Sequence, residues 1–223
     1  MRRRATKRRT VFKGALLAAA AGGTVLRLVG EALALGLVQK GVYRVKGDVR
    51  INGRPARENM ELAAGDVIVT GPGAELVFVA QKDAYLVREN SRVELAGTAG
   101  ALVLAGLRVV TGAVLAVFER GHAKRLVTST ATIGVRGTGV YVESERSRSY
   151  VCTCYGVTEI APLADPAHSE RISTTHHEEP RYVYASGETM MVKAPVLNHS
   201  DAELTLLEWV VGREPPFTPA PYK

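Results

Sequence analysis

The sequence predicts an all-β body, with one helix near the C-terminus and a signal or anchor helix at the N-terminus. From residue 41 onward, short runs rich in Val, Ile, Leu and Tyr are interrupted at close intervals by Gly, Asn-Gly or Gly-Pro. No long helical period is present before residue 195. A hydrophobic content of 46% over 223 residues is enough for a sizeable core.

The first 34 residues have the pattern of an export signal. A basic run ends in Arg-Arg-Thr-Val-Phe-Lys, thirteen uncharged residues follow at 14–26, and Ala-Leu-Ala at 32–34 is a small-x-small cleavage motif. The order resembles a twin-arginine signal. Its characteristic positions are Arg8, Arg9, Phe12 and Lys13.

The apolar part of this segment is short for a membrane span. Thirteen mildly apolar residues do not comfortably cross a hydrocarbon core of about 30 Å, which favours a cleaved signal. The alternative is an uncleaved anchor, since apolar residues continue to residue 38. We expect a periplasmic or extracytoplasmic location in either case. Contact with the inner membrane is expected only through this segment, if it stays uncleaved.

The formal net charge of +7 belongs to the same segment. Residues 1–34 carry eight Lys and Arg and one Glu, and the remaining residues carry 21 basic and 21 acidic side chains. A body without net charge offers no general attraction to a phosphate backbone, which is bound through basic patches that release counterions. We therefore expect no nucleic-acid partner.

Twelve strands and one helix are predicted in the body. The strands are expected at 41–46, 48–51, 66–70, 74–79, 84–87, 92–95, 107–118, 125–128, 131–135, 139–145, 149–155 and 157–160. Asn52-Gly53 is a hairpin turn signal, because both residues tolerate positive φ. Ser200 and Glu203 form a capping-box pattern that starts a helix at about 200–211, and Gly212 ends it. Its apolar face, Leu204, Leu206, Leu207, Val210 and Val211, is expected to pack on the sheet.

Two blocks of the body resemble a FecR-type periplasmic domain. The first block comprises Val49, Asn52-Gly53, Ala56, Leu62, Gly65-Asp66, Ile68, Thr70-Gly71, Ala74, Phe78, Asn90-Ser91, Val93 and Leu95. The second comprises Thr128, Thr130-Ala131, Ile133-Gly134-Val135-Arg136-Gly137-Thr138, Val140 and Gly156-Val157. The resemblance implies a twisted β body between a sandwich and a short solenoid. It also implies a turn at Arg136, Gly137 and Thr138 between two core strands.

The resemblance divides the chain into three parts. A FecR-like β domain is expected at 35–160, after the signal, and 161–223 is expected to be a looser extension that carries histidines and the helix. Regulators of sigma factors in this family have a cytoplasmic helical domain before the membrane segment, whereas thirteen residues precede the apolar run here. The expected role is therefore the extracytoplasmic one: a non-catalytic module that binds an envelope protein partner or a signal.

The two cysteines and the later histidines are the candidate chemical groups. Cys152 and Cys154 lie two apart in a predicted strand, so their side chains share one face about 6.5 Å apart along the chain. A disulfide is the common state of such a pair outside the cytoplasm. The alternatives are a zinc, copper or iron ion held by both cysteines with one or more of His176, His177 and His199, or a pair of free, inert thiols.

Three functions therefore remain open. The first is the non-catalytic binding module, in which the Cys/His cluster is structural and no cofactor is required. The second is a metal-binding or metal-sensing protein. The third is a thiol oxidoreductase that uses the C-x-C pair, which requires an accessible thiolate of low pKa. No nucleophile elbow, H-E-x-x-H motif or phosphate loop is present, so an enzyme of those kinds is not expected.

Overall fold

The structure, a computed structural model, describes residues 40–99 and 103–218. The predicted signal or anchor at 1–34, with Arg8, Arg9, Phe12 and Lys13, lies outside these residues. Within them, no helix is both long and apolar enough to cross a membrane. The predicted all-β fold with a C-terminal helix is confirmed for the described part of the chain.

Fourteen strands and one helix form in the described residues. The strands are β1 (Gly41–Lys46), β2 (Val49–Ile51), β3 (Arg54–Pro55), β4 (Val67–Thr70), β5 (Glu75–Ala80), β6 (Asp83–Val87), β7 (Arg92–Ala96), β8 (Gly106–Val117), β9 (Ala123–Val127), β10 (Ala131–Ser144), β11 (Arg148–Pro162), β12 (Glu170–Thr174), β13 (Arg181–Tyr184) and β14 (Met191–Lys193). The helix α1 spans Asp201–Val210.

All fourteen strands are hydrogen-bonded into one coiled sheet. Every pairing is antiparallel except that of β8 with β9. The long strand β8 pairs with β7 along its first half and with β6 and β10 along its second half. It changes partners near Gly112, whose φ is +83° and where a Cβ would lie 2.1 Å from the Ser91 hydroxyl oxygen. A side chain at this position would therefore push the neighbouring segment away.

The predicted turn at Arg136, Gly137 and Thr138 is wrong: these residues form a bulge inside the continuous strand β10. Gly137 adopts a φ of +62°, and the neighbouring strand β11 has a matching irregularity at Gly156 with a φ of +88°. The Thr138 hydroxyl bonds both the backbone N–H and the carbonyl of Val157, each at 3.0 Å. Because the two strands bulge together, their pairing continues, while β10 exchanges β9 for β8 as its other neighbour.

Alternation along the strands produces two apolar clusters on opposite faces of the sheet. The first, here the aliphatic cluster, contains Leu76, Phe78, Val140, Val142, Val151 and similar side chains from most strands. The second, here the tyrosine–cysteine cluster, contains Val77, Val79, Leu115, Tyr141, Tyr150, Cys152, Cys154 and Tyr155 together with Leu204, Leu207 and Val211 of the helix region. The chain after β14 thus covers one face of the sheet.

Helix α1 packs on the sheet as its apolar face predicts. Leu204 and Leu207 are fully buried. At its N-terminus, the Glu203 carboxylate accepts hydrogen bonds from the backbone N–H and the hydroxyl of Ser200, both at 3.0 Å. Further along, the buried Glu208 carboxylate accepts a hydrogen bond from the Tyr155 hydroxyl. The first contacts cap the helix, and the contact with Tyr155 attaches its C-terminal half to the sheet beneath it.

The described part of the C-terminal region, 161–218, contains three strands that the sequence pattern did not predict. β12 pairs with the second half of β11, β13 pairs with its first half, and β14 pairs with β13. They are short and polar, and Pro, His and Glu surround them, so they lack a long alternating pattern. The loop between β12 and β13 and the segment between β14 and α1 are the two parts that approach the cysteines.

Candidate metal centre

Both cysteines point to the same face of β11, as the period of two predicts. Cys152 and Cys154 have no exposed surface, whereas Thr153 between them faces the other way and contacts the Thr158 hydroxyl at 2.6 Å. No bond joins their sulfur atoms. The Cys154 Sγ lies 3.7 Å from the Cys152 carbonyl oxygen. The predicted disulfide and the predicted metal pair both remain interpretations of this arrangement.

Two histidines approach the cysteines from different segments. His177 lies in the loop after β12 with a φ of +59°, which is uncommon for a residue other than glycine, and its backbone N–H donates to the Cys154 carbonyl at 2.9 Å. Its Nδ1 is 3.4 Å from the Cys152 Sγ. His199 lies just before α1, and its ring stacks on Tyr141 with centroids 4.6 Å apart.

The four side chains converge on one point. The ligand atoms of Cys152, Cys154, His177 and His199 all lie within 4.8 Å of one another. The His199 Nε2 is 3.0 Å from the His177 Nδ1. A tetrahedral zinc ion separates two nitrogen ligands by about 3.3 Å, and nitrogen from sulfur by about 3.6 Å. The observed distances, 3.0 Å between the two nitrogens and 3.4 Å between the His177 nitrogen and the Cys152 sulfur, are close to these values.

The outer nitrogens of the two rings are held by oxygen acceptors. His199 Nδ1 contacts the Leu197 carbonyl, and His177 Nε2 lies 3.2 Å from the Asp201 carboxylate. Each of these contacts requires an N–H, as does the contact between the two rings if it is a hydrogen bond. Two neutral imidazoles carry only two such protons. A third proton, or a metal ion in its place, is therefore needed between the rings. Carboxylate and carbonyl partners of this kind orient metal-bound histidines.

The protonation states favour a negative centre. A hydrogen bond with Cys154 lowers the pKa of Cys152 to about 4 against the effect of burial, with further contributions from the two histidines. Burial raises the pKa of Cys154. Burial alone would lower the pKa of His177, but its contacts with Cys152 and Asp201 raise it overall. The lowered pKa of Cys152 favours a thiolate beside His177, and the same negative charge would stabilise a cation at the centre.

His176 belongs to a neighbouring group rather than to the buried four. Its Nε2 lies 2.8 Å from the Asp201 Oδ1, and with His177 these residues form a second set of possible ligands. The ring also lies 5.0 Å from that of Phe217. The other two histidines are elsewhere: His168 contacts Asp165, and His122 lies 3.8 Å from Glu119.

The sequence pattern missed two parts of this site. Asp201, the first residue of α1, was not assigned a role toward the histidines, although an acidic residue two positions after His199 is a usable signal. Tyr141 supports the His199 ring from β10, which only the sheet register places beside Cys152. The tyrosine hydroxyl donates to Glu143 at 2.8 Å.

The fold and the cluster together define an all-β protein in which two buried cysteines meet two half-buried histidines. No protein-family model matches the chain, and no curated protein matches it. The resemblance to a FecR-type domain therefore rests on the residues quoted above.

Among solved structures, the fold is similar to two crystal structures of a candidate anti-sigma factor from Parabacteroides distasonis ATCC 8503. Both are 14% identical with a TM-score of 0.47. The first match covers 66% of this chain and 65% of that chain, and the second covers 60% of each. The chain thus spans less than two thirds of these neighbours, and a likeness of this size carries no argument about function.

Proposed function

We propose that this protein is a non-catalytic β domain that binds one transition-metal ion through Cys152, Cys154, His177 and His199. The observation that carries the proposal is the convergence of two imidazole nitrogens, at 3.0 Å from each other, on a pair of buried sulfur atoms. Their outer nitrogens already have oxygen partners, so the inner lone pairs are directed at the centre.

The ligand set favours a thiophilic ion. Thiolates select zinc, copper(I) and iron, and imidazole suits the same metals, whereas magnesium and calcium require oxygen ligands. Four protein ligands close the coordination of a tetrahedral zinc ion and leave no position for a substrate. A structural or sensing role follows from a closed site, and zinc is the first ion to test.

The ion would connect three separate segments of the chain. The cysteines come from β11, His177 from the loop between β12 and β13, and His199 from the segment that leads into α1. The helix then covers the tyrosine–cysteine cluster. Metal binding would therefore stabilise the docking of the C-terminal helix on the sheet, which is the means by which an ion could change a surface of the domain.

A thiol oxidoreductase function is less well supported. The lowered pKa of Cys152 favours reactivity, but a reactive thiolate must also be accessible. Neither Cys152 nor Cys154 has exposed surface, and the ring of His177 lies against the first sulfur. Burial beside two imidazoles suits a metal ligand better than a redox nucleophile.

A second candidate function is the binding of an envelope protein partner. A cleft of about 820 Å³ lies across strands β8 to β12. Arg125, Arg136 and Arg171 line it and form no ion pair within the described residues. Glu159 lies between strands that carry two of them. Since the body has no net charge, this local excess of arginine favours an acidic partner segment.

We further propose that the domain works outside the cytoplasm as a FecR-like module. The twin-arginine-like pattern at Arg8, Arg9, Phe12 and Lys13 supports export, and the two sequence blocks at 41–160 support the family.

Binding of an acidic peptide such as poly-L-glutamate, measured by fluorescence anisotropy, tests the arginine cleft. We expect binding that is lost in an Arg125→Glu/Arg136→Glu/Arg171→Glu protein, and equal binding by both proteins would contradict the proposal.

Elemental analysis tests the metal proposal. Protein purified without chelator or added metal is expected to hold about one zinc, copper or iron ion per chain. The Cys152→Ser/Cys154→Ser protein should hold none, and a His168→Ala protein, altered at a histidine outside the cluster, should hold as much as the unchanged protein. A metal-free protein without free thiols would instead show that the cysteines form a disulfide.

A further inference from the structure

We infer that His176, His177 and Asp201 form a surface loading site, which captures a divalent metal ion and delivers it to the buried cysteines. This inference rests on the proposed function. The nitrogen and oxygen ligands of the three residues lie within 4.8 Å of one another, and His177 belongs to both sets. Here the loading site means these three residues, and the buried site means Cys152, Cys154, His177 and His199.

Burial increases in steps from the loading site to the buried site. The exposed fraction of the side chain is 41% for His176, 18% for Asp201 and 9% for His177. It falls to 0% at both cysteines. The successive contacts are 2.8 Å from His176 to Asp201, 3.2 Å from Asp201 to His177, and 3.4 Å from His177 to the Cys152 sulfur. A continuous row of ligands thus leads inward from solvent.

The ligand type changes along the same row. The outer site offers a carboxylate and imidazoles, which accept an ion that still carries water molecules. The inner site offers two sulfur atoms, which bind a thiophilic ion more strongly and leave no room for water. An ion captured outside therefore gains stability as it exchanges water and the carboxylate for thiolates.

His177 can serve both sites because its two ring nitrogens face different ways. In the tautomer with its proton on Nδ1, that N–H donates to His199, and the bare Nε2 faces the loading site. In the other tautomer, Nδ1 binds the buried ion and the proton on Nε2 is donated to Asp201. The transfer needs one proton to move between the ring nitrogens through solvent, and the thiol proton of Cys154 leaves to solvent. No oxidation or reduction is involved.

His176 is the residue that distinguishes capture of the ion at the loading site from binding of the ion at the buried site. It lies outside the buried four, so the metal affinity at equilibrium should not depend on it. Its ring also contacts Phe217, whose ring lies 5.7 Å from that of Tyr155. A His176→Phe substitution keeps an aromatic ring there and removes only the ligating nitrogens. His168→Phe is the matched control, because His168 also forms an exposed pair with an aspartate.

Stopped-flow mixing of the metal-free protein with cobalt(II) provides the test. Absorbance from cobalt–thiolate charge transfer reports the arrival of the ion at the cysteines. We expect His176→Phe to slow this arrival on the order of tenfold, through the lost effective concentration of captured ion, with an unchanged final amplitude. His168→Phe should behave like the unchanged protein.

Two results would overturn the inference. Equal rates for the unchanged and His176→Phe proteins would show that the ion reaches the cysteines by another route. A lost amplitude in His176→Phe, at the same cobalt concentration, would show that His176 is a ligand of the buried ion. If the protein without substitutions shows no cobalt–thiolate absorbance, the proposed metal centre itself is contradicted. Failure of the loading site and failure of the metal centre are therefore distinguishable.

Discussion

The two faces of the sheet differ in what covers them. The aliphatic cluster is built from apolar side chains of the strands and the segments that join them, whereas the tyrosine–cysteine cluster also includes side chains from α1. The second face also holds groups that need partners, such as the Tyr155 hydroxyl and the Glu208 carboxylate. Polar contacts occur at both faces, since the Tyr85 hydroxyl of the aliphatic cluster lies 3.5 Å from the Asp83 carboxylate, but only the second face would also hold an ion under our proposal.

The difference predicts that only one face should respond to metal. The packing of the aliphatic cluster should contribute the same free energy with and without zinc, because this cluster is separated from the ligands by the sheet. The C-terminal segment that carries His199 should depend on the ion. Each of the following experiments compares the faces, from the largest expected effect to the smallest.

Substitution of Phe78 by Ala is expected to have the largest effect. Phe78 is fully buried in the aliphatic cluster, and its ring stacks on Tyr85 with centroids 4.5 Å apart. Loss of the ring should lower the free energy of unfolding by about 3–5 kcal/mol. Chemical denaturation with zinc and with chelator should give the same loss. A loss that depends on zinc would contradict the independence of the two faces.

Substitution of Leu207 by Ala should have the next largest effect. Leu207 is fully buried between α1 and the sheet, so the expected loss is about 2–5 kcal/mol. Because the substitution loosens the helix that follows His199, zinc affinity should fall as well. Calorimetric zinc titration checks this, with Phe78→Ala as the control for a general loss of stability. Unchanged zinc affinity would show that zinc binding does not depend on the docking of α1.

Removal of zinc should have a smaller and local effect. Free zinc at about one hundred times its dissociation constant stabilises a folded protein by about 2.7 kcal/mol. Hydrogen exchange should show that chelation deprotects amides at 195–211, while those of β5 and β6 keep their protection. The Cys152→Ser/Cys154→Ser protein should show no response to zinc. Uniform deprotection of both regions would argue against a local role.

Substitution of Ser200 by Ala should have the smallest effect. Ser200 caps α1, and its hydroxyl donates to the Glu203 carboxylate at 3.0 Å. The expected loss in the free energy of unfolding is about 1 kcal/mol. Ser200→Asn, which retains a capping side chain, should restore most of it. Thermal unfolding measures both, and an Ala protein as stable as the unchanged one would show that the cap contributes nothing.

The sequence predicted the strands of the first part of the sheet well. For the strands from β1 to β9, except the two-residue β3, the predicted limits lie within two residues of the observed ones, because Gly and Asn-Gly mark their turns. It failed at the Arg136–Thr138 bulge. Glycines there indicate a reversal, whereas the hydrogen bonds of Thr138 to Val157 keep the strands paired. Local composition does not indicate that an irregularity in one strand is matched by an irregularity in its neighbour.

The site was predictable only in part. The period of a strand places Cys152 and Cys154 on one face, and the structure does the same. The choice between the adjacent His176 and His177 was not predictable, because it depends on the positive φ of His177 and on its hydrogen bond to the Cys154 carbonyl. The role of Asp201 depends on the position at which the chain leaves β14, because that position sets where α1 begins. Such long-range placement is set by the whole sheet.

X-ray absorption of the zinc-loaded protein tests the metal centre most directly. The four proposed ligands predict two sulfur atoms at about 2.3 Å from zinc and two imidazole nitrogens at about 2.0–2.1 Å. The Cys152→Ser/Cys154→Ser protein should lose the sulfur shell. A zinc shell of nitrogen and oxygen alone in the unchanged protein would place the ion away from the cysteines and contradict the proposed site.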